Sequence, residues 1–442
     1  VMSREGNLEA PTRHPLDWKN PEFYDHEKTE AEMARIFDIC HGCRRCFNLC
    51  NAFPLLFDAV DESASGELHS VSRTVLWDVV DQCYLCDMCY MTKCPYTPPH
   101  EFNLDFPHTM LRAKAVQFKE GKPNFRDKLL TSTDAIGRLA SIPVVTQVVN
   151  AVNKNGMTRA LMDITLGIHR DRILPTYTSK TFRKNAHPES GFPVKNGERT
   201  VGQVVIYSTC YINYNEPGIG MDLLKVLAHN EINAQILEKE ACCGMPKLEL
   251  GDLESVAALK EKNIPFLAEV ARAGFAIMTP IPSCTLMYKQ ELPLMYPDDA
   301  DVKAVAEAMF DPFEYLSLRH KDGFLKTEFK TPLGQVSYHV PCHLRVQNIG
   351  LKTRELLEMI PGTTVNTVER CAGHDGTWGV KSEHFDMSMK IGRPVFNRMK
   401  QDEPNYISSD CPIASRHIVQ GMAEERPKEH PISLLRIAYG LE

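Results

Sequence analysis

Several absences bound what this chain of 442 residues can be. No apolar run approaches the ~20 residues that a membrane-spanning helix needs, so membrane contact is expected to be peripheral or through a partner. Positive charge is not in excess: 50 Lys and Arg stand against 57 Asp and Glu, a net charge of −7, which argues against nucleic acid. No G-x-G-x-x-G fingerprint follows a strand-like run, and Gly218-Ile219-Gly220 is too short a match, so no FAD or NAD is expected in this chain. No G-x-S-x-G turn points to a hydrolase. The first forty residues are polar and proline-bearing, without the basic, apolar and small-residue parts of a secretion signal.

What the chain does hold is cysteine. There are fifteen, an odd number and too thinly spread for a disulfide scaffold, and most stand in metal-ligand patterns. A reducing compartment, and with it a cytoplasmic location, follows. Eight fall into two quartets, CHGCRRCFNLC and CYLCDMCYMTKCP. Three thiolates at two-residue spacing on one tight loop can grip three corners of a [4Fe–4S] cube, while the more distant fourth cysteine typically serves the other cube. The expected sets are therefore crossed: Cys40, Cys43, Cys46 and Cys94 for one cluster, Cys83, Cys86, Cys89 and Cys50 for the other. A pair of zinc sites is the bland alternative, but zinc needs four ligands in two pairs and leaves two tight triplets unexplained. Asn51 stands where a proline usually follows the fourth cysteine, and the last gap, before Cys94, also departs from the plainest pattern. Arg44 and Arg45 lie inside the first loop, either as charge favouring a reduced cluster or as a solvated pair.

Taken in order, residues 1–27 read as an extended arm that could wrap on a neighbour. Helices are expected before Cys40 and, between the quartets, over FPLLFDAVDES and SRTVLWDVVDQ, the last with Val75, Leu76, Val79 and Val80 at helical spacing. The proline-rich PYTPPHEFNLDFPH reads as stiff and extended, and residues 109–175 as mostly helical. Val145, Val148, Val149 and Val152 form an apolar stripe within a run, Asp134 to Asp163, that has no acid between its ends. Such a stripe suits an anionic membrane, a partner subunit, or, on the reading favoured here, the chain's own core. Residues 176–200 read as a linker.

A new regime begins at Val201. Strand-like GQVVIYSTC ends at Cys210, NAQILEKE runs into Cys242-Cys243-Gly244, and FAIMTPIPS reaches Cys284, with helices between. The second half repeats the order through GQVSYHVP to Cys342, TTVNTVER to Cys371 and NYISSD to Cys411. Offsets of 32 and 74 residues in the first copy and 29 and 69 in the second indicate a duplication. Alternating strands and helices predict parallel sheets with ligands at the carboxyl ends of the strands. Cys210, Cys242, Cys243 and Cys284 are candidate metal ligands of the first copy, and Cys342, Cys371 and Cys411 of the second. His343, His374, Asp375 and His417 are candidates to complete the second set. No catalytic residue is assigned. The expected fold class is α/β plus α: a helical ferredoxin-type domain with two clusters (1–105), a helical connector and linker (106–200), and two cysteine-rich units with parallel strands (201–330 and 331–442).

The quartets together with the duplicated Cys-Cys-Gly units resemble the heterodisulfide-reductase-like iron–sulfur proteins. These include the C subunits of anaerobic glycerol-3-phosphate dehydrogenases and the iron–sulfur subunits of glycolate and lactate oxidases. The likeness runs from about Cys40 to the C-terminus, most specifically in CYINYNEPGIGMDLLKVL, EACCGMP, YHVPCH, the Gly376-Thr377-Trp378-Gly379 turn and HPISLL. It implies five cysteines per unit, and Met287, Ala372 and Ala414 replace three of the ten. A cluster in the first unit is thus better supplied than one in the second. The resemblance implies an electron-transfer subunit in a hetero-oligomer: a flavoprotein partner oxidises a small hydroxylated substrate, and clusters pass the electrons to quinone or another acceptor at the inner face of the cell membrane. Two rivals remain. One is a catalytic subunit reducing a disulfide or small molecule at a cysteine-ligated cluster; the other is a carrier feeding a soluble oxidase or peroxide-reducing partner.

Overall fold

The computed structural model describes residues 10–92, 94–237, 239–424 and 426–442; the first nine residues of the arm lie outside them. The chain divides into two compact units. The first comprises Val1–Thr131 with Pro246–Val256 and Leu294–Pro297, the second Ser132–Met245, Ala257–Pro293 and Asp298–Glu442.

The first unit is helical. Helix α1 (His26–Cys43) starts where the Asp25 carboxylate accepts the Lys28 N–H, and buries Met33, Ile36 and Phe37. Helices α2 (Ala52–Asp61) and α3 (Arg73–Gln82) occur where the apolar spacing places them and bury Phe53, Leu56, Phe57 and Val60, and Leu76, Val79 and Val80, respectively. A short α4 (Met88–Thr92) follows the second cysteine loop, and α5 (Phe106–Lys119) closes the bundle with Phe106 against Phe37 and Phe53 at ring distances of 5.7 and 4.8 Å. Helix α6 (Phe125–Leu130) ends the continuous part. The proline-rich segment after Cys94 is folded rather than extended: Leu104 N–H donates to the Tyr96 carbonyl at 3.0 Å, and Tyr96, His100 and Phe102 pack into one cluster. The described part of the arm lies on its own unit. Leu16 N–H donates to Leu294 O at 2.8 Å and Trp18 Nε1 to Met295 O at 3.0 Å.

The second unit begins with α7 (Thr133–Ala140), α8 (Pro143–Lys154), α9 (Gly156–Leu166) and the short α10 (Phe182–Asn185). Only Thr146 of α8 is fully buried; Val144 and Val148 are exposed, as are Leu139 of α7 and Met157, Leu161 and Ile164 of α9. Of the valine stripe, Val148 is exposed while Val145, Val149 and Val152 are half-buried, so the stripe packs only partly against its own chain. Among the described residues no single helix is long and apolar enough to cross a membrane; α7 and α8 qualify only as a pair bent by 110°. The stretch read as a linker is packed: Phe182 is fully buried, and Asn233 Oδ1 takes the N–H groups of Gly191 and Phe192.

Two four-stranded parallel sheets follow, as the alternation of strands and helices requires. In the first, β1 (Gln203–Ile206), β2 (Asn233–Ile236), β3 (Ala276–Met278) and β4 (Met309–Phe310) lie in the order β2-β1-β3-β4. In the second, β5 (Gly334–His339), β6 (Thr363–Val368), β7 (Tyr406–Ser409) and β8 (Lys428–Glu429) repeat it as β6-β5-β7-β8. The identical order is the duplication made visible. The edge strands β4 and β8 are two residues each, too short to leave a periodic signal. Central strands carry near-continuous buried runs, as sheets covered on both faces do.

The final helix, Pro431–Tyr439, depends on a neutral histidine. His430 is buried; its Nε2–H donates to Asp410 O at 3.1 Å while Nδ1 accepts the Ile432 N–H at 3.2 Å as the helix cap. Burial pushes its pKa down to about 4, against an ordinary 6.5. A group whose folded pKa is depressed in this way favours folding fully above the unfolded value and loses that advantage as pH falls toward the folded one. Chemical denaturation of wild type and His430→Gln should therefore converge or cross on acidification, wild type losing about 2 kcal/mol relative to the variant between about pH 7.5 and pH 5. A difference independent of pH would show that His430 is not held neutral.

Candidate metal centres

In the first unit the left-handed Arg44 terminates α1 just beyond Cys43, so Cys40 and Cys43 share the last turn. The second loop is wound by two more left-handed residues, Leu85 and Asp87. Asp87 is fastened from the arm: the buried Arg13 guanidinium bonds it at 2.7 and 2.9 Å and also grips Asp105. The Asn51 side chain, in the position where the sequence departs from proline, caps no backbone N–H of α2. Its Nδ2 instead donates to Gln82 Oε1 at 2.8 Å, next to Cys83, and so ties the two loops.

The thiols converge in two overlapping groups. Burial, with the neighbouring thiols of Cys94, Cys46 and Cys43, pushes Cys40 well up. Burial, with Cys46, Cys86, Cys83 and Cys50, does the same to Cys89. Cys94 rises to about 11, mainly by burial. Each quartet's fourth cysteine thus lies beside the triplet of the other. Arg44 is less of a free charge than its position in the loop suggests, because Asp61 Oδ2 takes its Nη1 at 2.8 Å.

In the second unit every candidate cysteine lies just past the carboxyl end of a strand. Cys210 opens α11 (Thr209–Tyr214) after β1, preceded by Thr209 at a φ of 65°. Cys242 and Cys243 follow β2 on a turn completed by Gly244 at a φ of 99°, a conformation glycine adopts without penalty. Cys284 sits in the helix Pro282–Leu286 after β3. Asn263 pins the Cys-Cys turn, accepting the Ala241 N–H at 2.8 Å and donating to Cys242 O at 3.1 Å. The four sulfurs meet: Cys242 accepts from Cys210 and Cys243 and is held well below the usual thiol range, while that sharing and burial drive Cys210 and Cys243 well above it. Cys284 is the further neighbour of both.

The second sheet makes the same edge with fewer sulfurs. Cys342, after β5, is pushed well up by burial and by Cys371, Cys411 and Asp375, which places these four together. Cys411 caps the helix Pro412–Met422 after β7, and burial raises it to about 11. Gly373, at a φ of 80°, donates its N–H to Cys371 Sγ at 3.3 Å. The four auxiliary candidates part company here. His374 brings Nε2 to 4.0 Å from Cys411 Sγ, is pushed down to about 3 by burial, and leaves Nδ1 buried without a hydrogen-bond partner. His343 Nδ1 lies 2.8 Å from Ser283 Oγ, and His417 Nδ1 meets Arg172. Ala372 and Ala414 are buried where the resemblance implies cysteines, as is Met287 in the first sheet's module.

Whether these sets suit a metal group turns on donor chemistry. Crowded buried thiols stay protonated on their own, and a cationic centre that displaces those protons is what makes them ligands. Among the described residues no three His, Cys, Asp or Glu side chains are placed to hold a single ion. A zinc ion draws four donors to about 2.3 Å from one point, whereas a cube spreads its thiolates around a larger body. All-sulfur sets fit iron–sulfur groups in the first unit and at Cys210–Cys284; the second sheet offers three sulfurs and the imidazole of His374.

Sequence reasoning missed the groups that support these sulfurs. Asp134 accepts the Cys242 N–H, and the buried hydroxyl of Thr133 lies beside the thiols of Cys210 and Cys242; both come from the start of α7, in the segment read as connector. Arg172, buried, reaches Gly379 O, Ser388 Oγ and His417. Asp134 is the last acidic position before the acid-free run, a signal noticed for its charge and not for its use.

Comparison with known proteins follows the same division. The Cysteine-rich domain family matches twice, over residues 204–289 and 336–417. The chain is similar to the C subunit of anaerobic glycerol-3-phosphate dehydrogenase from Escherichia coli, 30% identical over 326 residues that cover 73% of this chain and 79% of that protein. It is also similar to the B subunit of the fumarate reductase (CoM/CoB) of Methanothermobacter marburgensis, 26% identical over 58% of this chain and 49% of that one. Lactate utilization protein A of Bacillus cytotoxicus is 26% identical over 47% of this chain and 87% of its own length.

Gly373 gives this geometry a test. A Cβ there would lie 2.4 Å from Ser388 O, in addition to the strain of positive φ. Gly373→Ala should cost more than about 2 kcal/mol. Gly350→Ala, also at a φ of 80° but meeting only the tip of Lys352, should cost about 1 kcal/mol. Equal losses in thermal unfolding would mean that the close approach behind Cys371 is absent.

Proposed function

The chain belongs to the family of the C subunit of anaerobic glycerol-3-phosphate dehydrogenase, and on that premise we propose that it is the iron–sulfur electron-transfer subunit of a flavin-dependent dehydrogenase complex. Its partner is a flavoprotein that oxidises glycerol 3-phosphate or a 2-hydroxyacid, and its acceptor is quinone at the inner face of the membrane. The observation that carries this reading is the interleaving of the two quartets, with Cys94 beside Cys40 and Cys50 beside Cys89. Interleaved sets hold two cubes close on one small scaffold, which is what a relay needs.

In this reading residues 1–105 form a ferredoxin-type domain: Cys40, Cys43, Cys46 and Cys94 hold one [4Fe–4S] cluster, and Cys83, Cys86, Cys89 and Cys50 the other. Cys210, Cys242, Cys243 and Cys284 hold a third iron–sulfur group, and Cys342, Cys371, Cys411 and His374 form a further metal site. Bound clusters supply one-electron transfer. The protein holds the sulfurs out of water and sets charge and hydrogen bonds around them: Arg13 fixes the second loop through Asp87, Asp134 the Cys-Cys turn, and the Gly373 N–H bonds the Cys371 sulfur.

Iron and acid-labile sulfide per chain on anaerobically purified protein, with an EPR-monitored redox titration, test the proposal. Clearly more than about eight irons are expected, and Cys242→Ser should remove only the excess above about eight. Less than one cube's worth of iron, or tightly bound zinc in its place, would sink the reading. An iron content of about eight in both proteins would confine clusters to the first unit.

A further inference from the structure

Positive charge gathers around one cavity of the second unit. A cavity of about 550 Å3 opens beside α8, α9 and the segment that follows α9. Lys154, Arg159, Arg170, Arg172, Arg416 and Lys428 line it, against the single carboxylate of Asp171.

Three of the six cations, Lys154, Arg159 and Arg172, have no carboxylate bonded to them among the described residues. Arg159 and Arg172 are buried, yet their hydrogen bonds go to neutral groups: Arg159 to the carbonyls of His169, Arg170 and Arg172 and to the Met162 sulfur, and Arg172 to Gly379 O, Ser388 Oγ and the His417 ring. Burial lowers Arg172 to about 10, which still leaves it cationic at neutral pH. Arg416 gives Nη2 to Glu216 at 2.6 Å, but its Nη1 is buried with no hydrogen-bond partner. Lys428 shares that same Glu216 at 3.6 Å, and Arg170 is bonded to Asp163 at 3.0 Å. Lys154 is exposed at the end of α8 and has no ion-pair partner among the described residues. Holding buried guanidinium charge without a carboxylate is costly, so a cavity built this way favours an anion.

We propose that this cavity binds a phosphate-bearing anion, with Arg416 and Lys154 as its direct contacts and Arg159 and Arg172 as the fixed charge behind them. A phosphate monoester carries close to two charges and three acceptor oxygens, enough for a guanidinium and an ammonium at once, whereas a monocarboxylate neutralises one. Two sources share this chemistry. One is the phosphomonoester headgroup of phosphatidic acid, for which Val144, Val148, Met157, Leu161 and Ile164 supply exposed apolar surface on the same two helices. The other is a small soluble phosphate. The inference goes beyond the proposed redox role and does not depend on how much iron the chain holds.

The test uses the full, anaerobically purified chain at constant ionic strength. Inorganic phosphate should raise the unfolding temperature saturably, since a ligand of the native state stabilises it, and acetate should not. Lys154→Gln, on an exposed side chain, and Arg416→Gln should each weaken the apparent phosphate affinity roughly tenfold, the loss of one charge-assisted contact. Lys154→Gln decides if the loss of the Glu216 pair unfolds the other variant. Sedimentation with phosphatidic acid but not phosphatidylcholine vesicles, suppressed by phosphate, assigns the headgroup; phosphate binding without vesicle binding assigns the soluble anion. No phosphate effect, an equal effect of acetate, undiminished affinity in Lys154→Gln, or vesicle binding indifferent to both lipid charge and phosphate would each overturn the proposal.

Discussion

Crowding sulfur at partly or fully buried positions is the physical problem this protein has to solve. A buried thiol resists ionisation, and several together resist it more, as the upward displacement of Cys40, Cys89, Cys243 and Cys342 records. Holding such groups face to face without a bound centre brings little stability, so the surrounding backbone must impose the arrangement. It does so with left-handed residues at Arg44, Leu85, Asp87 and Thr209, with glycine at Gly244 and Gly373, and with side chains such as Asn263 and Arg13 that tie loops to fixed points. Left-handed backbone thus occurs in each of the cysteine sets, as it does elsewhere in the chain.

The duplicated sheets show how one device serves twice with different outcomes. Both place their cysteines beyond the carboxyl ends of β1, β2 and β3 or of β5, β6 and β7, because a parallel sheet leaves its loops gathered at that edge. In the first copy Cys210 and Cys243 share hydrogen bonds with Cys242, and Cys284 joins through Cys243. In the second, alanine at 372 and 414 removes two sulfurs, and the neutral His374 ring comes up to Cys411 instead. The charge nearby differs as well: the first copy has Asp134 at the Cys-Cys turn, while the second has Arg172 reaching His417. Two sites of common origin thus offer different ligand fields, which suits different potentials or different tasks.

Helices α7 to α9 belong to this picture and are not mere spacers. The start of α7 delivers Thr133 and Asp134 to the first cysteine set, whereas its far end, α8 and α9 leave apolar side chains in solvent beside a cluster of cations. A contiguous run that is apolar, free of acid and exposed is more often a surface kept for contact than a defect of folding.

Much of this was determined by sequence alone. Cysteine spacing marks the candidate ligands because cluster loops need sulfurs at short fixed intervals, helix positions in the first unit follow from Leu76, Val79, Val80 and their kind, and the parallel sheets follow from alternation and repeat. These are local or periodic properties, and the chain carries them without needing to fold. Tertiary structure alone decided the rest. That His374 comes to the Cys411 sulfur depends on where strand ends converge. That Val148 faces solvent depends on what α8 happens to pack against. That Arg13, Asp134 and Arg172 support sites 74, 108 and 245 residues away depends on folding, since those separations leave no trace in spacing. A pattern records what neighbours in sequence must do together, while partners brought from far along the chain are chosen by packing.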